Sequence, residues 1–131
     1  MKKVVLGIIS RINKKGKKEY LLINTTKDFG EFTGFYYPPG GHQKKGETEK
    51  QTLIREIREE LSLTVEPVKK IVETPGDVKE EKDSWWFCKI LEGKPKMKIG
   101  EIANFGYFTH GQIKKMKIWP ATSKFFKKYL L

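Results

Sequence analysis

Three glutamates, Glu56, Glu59 and Glu60, recur at helical spacing within residues 55–63. On a helix that turns about 100° per residue, their carboxylates fall within an arc of roughly 100°. Like charges at this spacing destabilise an isolated helix by about 0.2–0.5 kcal/mol per pair, so something should offset the repulsion. Clustered carboxylate oxygens suit a hard divalent cation such as Mg²⁺ or Mn²⁺, and a metal site is therefore one interpretation of this helix.

Two other interpretations of the acidic helix remain open. Arg55 and Arg58 could neutralise the glutamates as surface ion pairs, or the helix could simply present a charged, solvated face. On the same projection Arg58 lies at about 200° and Arg55 at about 260°, so we expect neither to cover the middle of the acidic arc. The spacing alone leaves the metal site and these alternatives open, and the segment ahead of the helix decides between them.

The segment ahead of the helix, PPGGHQKKGE, predicts a rigid turn and extends the pattern. Gly41 is followed after five residues by Glu47, and seven further residues lead to the sequence REIREELSL at residues 55–63. The whole stretch resembles the signature of the Nudix hydrolase superfamily, G-x5-E-x7-R-E-U-x-E-E-x-G-U, in which U is aliphatic. Ser62 replaces the last glycine, which puts in doubt only the end of the helix, where glycine is favoured for its left-handed backbone.

The resemblance implies a fold and a chemistry. The fold would be α/β of the α+β type, a Nudix sandwich with a mixed β-sheet packed between helices, as a single domain over residues 1–131. Glu56, Glu59 and Glu60, with the carbonyl of Gly41, would bind Mg²⁺, with Mn²⁺ as the alternative ion. Arg55 would orient a glutamate, either Glu47 or Glu56.

The implied reaction is hydrolysis of a pyrophosphate bond in a nucleoside diphosphate linked to another moiety. The favoured substrate is a small molecule, a modified nucleoside triphosphate that releases a nucleoside monophosphate. The general base for the attacking water would be Glu59, Glu60 or a glutamate from a later loop, for which Glu101 is the best placed.

Candidate substrate contacts lie outside the acidic helix. Trp85 and Trp86 are neighbours on a predicted strand, so their side chains should point to opposite faces, and Trp86 is a candidate to stack on a base. Tyr37 is a second aromatic candidate, and Lys44 a candidate phosphate contact. The alternative for the aromatic residues is ordinary packing.

Alternating apolar residues predict strands at residues 4–12, 19–23, 34–37, 65–74, 84–91 and 104–109, and helices at 48–62 and 122–130. The sequence HGQIKKM predicts one more helical turn, NKKGKKE a hairpin loop, and TTKDFGEFTG a mostly polar loop. Strands followed by a helix and further strands are typical of a mixed sheet covered by helices.

The net charge of +11 at pH 7 leaves RNA open as a partner. Only three of the 27 basic residues are arginines, however, and the guanidinium forks that suit phosphates and bases are scarce, so nucleic acid is not favoured. An RNA 5′-end pyrophosphohydrolase and a non-catalytic nucleotide-sensing module are the alternative functions; modules of the second kind usually lose glutamates that are all present here.

Other properties of the sequence predict the cellular compartment of the protein. The apolar runs are too short to span a bilayer, so we expect no membrane association, and the single cysteine favours a reducing cytoplasm. A monomer and a homodimer are equally compatible with the sequence.

Overall fold

The computed structural model describes residues 1–97 and 102–130. Within these residues, seven strands and three α-helices follow one another: β1 (Lys2–Ile8), β2 (Ser10–Ile12), β3 (Lys18–Asn24), β4 (Gly40–His42), α1 (Glu49–Leu61), β5 (Thr64–Pro75), β6 (Glu81–Glu92), β7 (Asn104–Thr109), α2 (His110–Ile113) and α3 (Pro120–Tyr129). No helix in the described part of the chain is long and apolar enough to cross a membrane.

The strands form two sheets. One has the order β4-β1-β6-β5 and the other β2-β3-β7. The β1 and β6 strands run parallel while the other pairs are antiparallel, which confirms the predicted mixed α+β architecture.

Apolar side chains fill two cores, because successive residues of a strand point to opposite faces. Val5 and Trp86 belong to the core under α1, while their neighbours Leu6 and Trp85 belong to the core under α3. The indole of Trp85 stacks on Phe125 of α3 at 4.1 Å between ring centroids. Both faces of the central strands are thus covered by helices.

Two strand predictions were wrong. The predicted strand at residues 34–37 forms only isolated bridges, of Tyr36 with Ile118 and of Tyr37 with Ile23. Within the PPGGHQKKGE segment, which we predicted as a turn, Gly40–His42 forms β4 and pairs with β1. Strand pairing with a distant partner overrides the turn preference of proline and glycine, and this pairing is invisible in the local sequence.

Ser62 ends α1 in a left-handed conformation, with φ 57° and ψ 31°. A side chain in this region costs about 1–2 kcal/mol, although glycine loses part of that advantage through its greater freedom when unfolded. We expect Ser62→Gly to raise the free energy of unfolding by about 0.5–1 kcal/mol, seen as a higher urea midpoint at constant slope. Ser123→Gly, inside α3, is the control and should destabilise; a lower midpoint for Ser62→Gly would contradict the prediction.

Asp83 on β6 is a buried carboxyl, with 7% of its surface exposed. Burial, helped by the charges of Asp77 and Glu81, raises the pKa of Asp83 to about 7 from its ordinary value of 3.8. The folded state therefore holds this proton over a pH range in which the unfolded state has already lost it. The contribution of Asp83 to stability is complete below about pH 4 and declines as the pH rises to about 7.

Asp83→Asn should remove this pH dependence, because an amide cannot ionise. We expect the melting temperature of the wild type to fall by about 5 °C more than that of Asp83→Asn between pH 5 and pH 8. Thermal scans at both pH values test this. Parallel shifts in the two proteins would show that Asp83 is not protonated in the fold.

Candidate active site

The helix α1 that carries the glutamates is fixed at its start by a capping box. The Thr48 hydroxyl accepts a hydrogen bond from the backbone N–H of Gln51 at 3.1 Å, and the Gln51 side chain accepts one from the backbone of Thr48 at 2.9 Å. Leu53, Ile57 and Leu61 are fully buried against the sheet. The apolar stripe therefore sets the rotation of the helix and aims the acidic edge away from the core.

Glu49 ties the first turn of α1 to the sheet. Its Oε1 accepts hydrogen bonds from Trp86 Nε1, at 2.9 Å, and from the Ser84 hydroxyl. Its Oε2 lies 3.1 Å from both Lys3 Nζ and Lys70 Nζ. Burial raises the pKa of Glu49, but these four donors outweigh it and lower the pKa to about 2. The carboxylate thus holds α1 against β1, β5 and β6 across the neutral pH range.

Glu56, Glu59 and Glu60 line one cavity of about 250 Å³. Glu60 is the most buried, at 9% exposure, whereas the side chains of Glu56 and Glu59 are 20% and 45% exposed. Tyr37 lines the same cavity. Burial, and then the negative charges of Glu60 and Glu56, raise the pKa of Tyr37, so its phenol stays protonated beside the carboxylates.

Two glycines let strand β4 approach these carboxylates closely. The backbone N–H of Gly40 donates to Glu60 Oε1 at 3.1 Å. A Cβ atom on Gly41 would lie only 2.4 Å from the carboxyl carbon of Glu56, which real structures do not tolerate. The absence of a side chain at Gly41 therefore makes the space that the Glu56 carboxylate occupies.

Arg55 binds the carboxylates from one side. Its Nε and Nη2 donate to the two oxygens of Glu47 at 2.6 and 3.0 Å, and its Nη1 donates to Glu56 Oε1 at 2.9 Å. A longer contact, 3.4 Å, joins Nη1 to Glu59 Oε2. The expectation that Arg55 lies away from the acidic arc was wrong, because its long side chain reaches well beyond the angular position of its Cα. Arg58 instead donates to Thr64.

The Glu47 carboxylate accepts hydrogen bonds from Arg55 and from two further donors. Hydrogen bonds from Arg55, with help from the Lys44 backbone N–H and the Thr52 hydroxyl, lower the pKa of Glu47 to about 2. Glu47 thus contacts Arg55, which in turn contacts Glu56, and Glu47 does not itself line the cavity. Lys44 contributes its backbone to this arrangement, and its side chain is not part of the cavity wall.

Trp86 does not reach the cavity. The residue is 9% exposed and lies in the core under α1, with its indole N–H bound to Glu49. The prediction that it stacks on a base is not supported by this position, because strand pairing and the helix cover it. Glu101, the candidate base from a later loop, lies outside the described residues.

The donor set fits a hard divalent cation, although the side chains of residues 1–97 and 102–130 are not arranged as a ready metal site. Carboxylate oxygens of Glu56, Glu59 and Glu60 share one cavity, and the backbone of Gly41 lies against Glu56. These are the ligand types that Mg²⁺ and Mn²⁺ take. Arg55 partly neutralises Glu56 and Glu59, so the cavity combines carboxylate oxygens with a fixed positive charge beside them.

The sequence reasoning missed part of the cavity. Thr25, Lys27 and Phe29 line it from the connection between β3 and β4, which we predicted only as a polar loop. An aromatic residue and a lysine directly after a buried strand were the available signal. Nothing in their spacing relates them to α1.

The comparisons with known proteins agree with this geometry. The NUDIX domain family matches residues 1–129. No curated protein matched the chain. Among solved structures, the MutT protein from Methanosarcina mazei Go1 is 22% identical, with a TM-score of 0.74, and the match covers 96% of this chain and 90% of that one.

Two further solved structures share the fold. A Caenorhabditis elegans Ap4A hydrolase is 21% identical, with a TM-score of 0.77 and coverage of 99% of this chain and 96% of that one. The NUDIX domain of Shewanella oneidensis NrtR, solved with ADP ribose, is 11% identical, with a TM-score of 0.76 and coverage of 95% and 83%. The chain thus belongs to the Nudix hydrolase superfamily and has the fold and the intact glutamate signature of a Nudix-type pyrophosphohydrolase.

Proposed function

We propose that this protein hydrolyses a pyrophosphate bond in a nucleoside diphosphate linked to another moiety, and that it requires Mg²⁺. The favoured substrate is a modified nucleoside triphosphate that releases a nucleoside monophosphate. One observation carries the proposal: Glu56, Glu59 and Glu60 line the same cavity, at a point where the backbone of β4 leaves room for a carboxylate. Nudix hydrolases generally use a divalent metal, which agrees with this donor set.

Glu56, Glu59 and Glu60 would hold the metal, with the Gly41 carbonyl as a further ligand. Bound there, Mg²⁺ would neutralise charge on the substrate phosphates and acidify the attacking water. Arg55 keeps Glu47 and Glu56 in place through its hydrogen bonds, so its role is positioning. Glu59, Glu60 and Glu101 remain the candidates that accept the proton of the water. Of the two that line the cavity, Glu59 is the more exposed and Glu60 the more buried.

Named relatives illustrate the substrate class. One neighbour is an Ap4A hydrolase, and another was solved with ADP ribose. Both ligands contain a nucleoside joined through phosphates to a second group, which is the class proposed here. We propose that the protein acts on such small molecules in the cytoplasm as a single domain.

A substrate panel tests the proposal. Modified nucleoside triphosphates, ADP ribose, Ap4A and a 5′-triphosphorylated RNA would each be incubated with and without Mg²⁺, and the products identified by mass. We expect cleavage of a small nucleotide that stops when Mg²⁺ is removed. Preferred cleavage of the RNA would favour the 5′-end alternative, and no cleavage with any member, despite binding, would favour a sensing module.

A further inference from the structure

We propose that the cavity wall formed by Lys27 and Phe29, here called the β3–β4 wall, binds the nucleoside end of the substrate: Phe29 stacks on the base and Lys27 contacts a phosphate. This inference rests on the proposed function. It assigns the protein to substrates that carry a base and excludes polyphosphates that lack one. It also predicts little discrimination among bases, because every base offers a π-face.

The cavity has two unlike walls. Glu56, Glu59 and Glu60 form one, while Lys27 and Phe29 belong to the connection that forms the other. A polyphosphate bound between them would meet the carboxylates, through a metal, at the reacting end. Its opposite end would meet a cation and an aromatic ring, which complement a phosphate and a base.

Phe29 is exposed in a way that packing does not explain. Its exposure is 43%, although large aromatic side chains usually bury most of their surface. The ring is nevertheless held, edge to face, 5.4 Å from Trp119, whose indole stacks on Phe32 at 4.9 Å. Because the Phe29 ring is already held by Trp119, it loses little conformational freedom when a base stacks on it.

The backbone around Phe29 is also fixed before any ligand binds. The Asn24 side chain, in a residue only 7% exposed, donates to the carbonyl of Gly34 at 3.0 Å and so closes the loop. Within the loop, the N–H of Phe29 donates to the Thr33 hydroxyl at 2.8 Å and that of Gly30 to Asp28 at 2.9 Å. These bonds lower the ordering cost of binding at this wall.

Lys27 supplies the positive charge of the β3–β4 wall. It is exposed, and it forms no ion pair with the residues at 1–97 and 102–130. Among the carboxylates that line the cavity, Glu56 and Glu59 have Arg55 as a partner. The ammonium group is thus available to an anionic ligand.

Two probes that differ only in the nucleoside test the inference without turnover. Calorimetry in Mg²⁺ would compare α,β-methylene-ADP with methylenediphosphonate. We expect the wild type to bind the nucleotide at least about tenfold more tightly, and Phe29→Ala to lose about tenfold for the nucleotide alone. Phe29→Leu, which keeps the apolar volume without the π-face, should lose nearly as much. Lys27→Ala should weaken both probes.

Matched controls separate a local effect from a general one. Phe87, 38% exposed on β6, is not part of the cavity wall, and Phe87→Ala should change neither affinity. Lys15→Ala, in the β2–β3 hairpin, is the control for Lys27. Equal wild-type affinity for the two probes, no binding of the nucleotide, or unchanged nucleotide affinity in both Phe29 variants would overturn the inference. Hydrolysis in the substrate panel would then still support the proposed function, so the two can fail separately.

Discussion

Glu59→Gln should lower kcat by about 10³-fold while leaving the fold intact. The amide keeps the shape of the side chain but loses the negative charge, and with it both metal affinity and the capacity to take a proton. The side chain is 45% exposed, and the only contact shown for it within the described residues is 3.4 Å long, to Arg55. Removing this charge should therefore change the melting temperature by no more than about 1–2 °C.

Steady-state kinetics with the substrate found in the panel, together with thermal scans, would measure both effects. Glu66→Gln, an exposed carboxylate on β5, is the matched control and should leave kcat unchanged. Full activity of Glu59→Gln would overturn the assignment of Glu59 to the site. A large loss of stability with the loss of activity would instead indicate a structural role.

Gly41→Ala should lower kcat by about 10²-fold with a modest cost in stability. The new Cβ would meet the Glu56 carboxylate at 2.4–2.7 Å, and this carboxylate is the end of a flexible side chain that can move. A displacement of about 1 Å at a catalytic group commonly costs 10²-fold in rate. Loss of the contact between Glu56 and Arg55 should cost about 1 kcal/mol or less.

Gly40→Ala is the informative comparison for Gly41→Ala. At Gly40 the added Cβ would lie 2.0 Å from the backbone oxygen of Val5, and the residue has φ 151°. The paired strands would have to separate, so we expect a loss of about 3 kcal/mol of stability. Neighbouring glycines should thus separate a catalytic defect from a folding defect. A Gly41→Ala protein with normal kcat would show that the position of Glu56 does not limit the reaction.

The local part of the site was predictable from the sequence. Leu53, Ile57 and Leu61 mark the buried face of α1 by their period, and the same period places Glu56, Glu59 and Glu60 beside it. Helix geometry depends on near neighbours, so spacing along the chain fixes which side chains share a face. Asn104 to Thr109 was predicted as a strand with the bounds that β7 has.

The rest of the site depends on contacts between distant segments. Pairing with β1 turns the predicted turn around Gly41 into a strand, and it brings that backbone against Glu56. Phe29 and Lys27 follow β3 and are distant from α1 in the sequence, yet they line the same cavity as its glutamates. Trp86, in contrast, was predicted to stack on a base because of its aromatic side chain, yet it is buried in the core under α1.

Anomalous diffraction from a crystal soaked in Mn²⁺ tests the central claim most directly, because it locates the ion without any substrate. The account predicts an anomalous peak within bonding distance of the carboxylates of Glu56, Glu59 or Glu60, and a much weaker peak in Glu59→Gln crystals treated in the same way. A well-diffracting, fully soaked crystal with no such peak beside these side chains would contradict it.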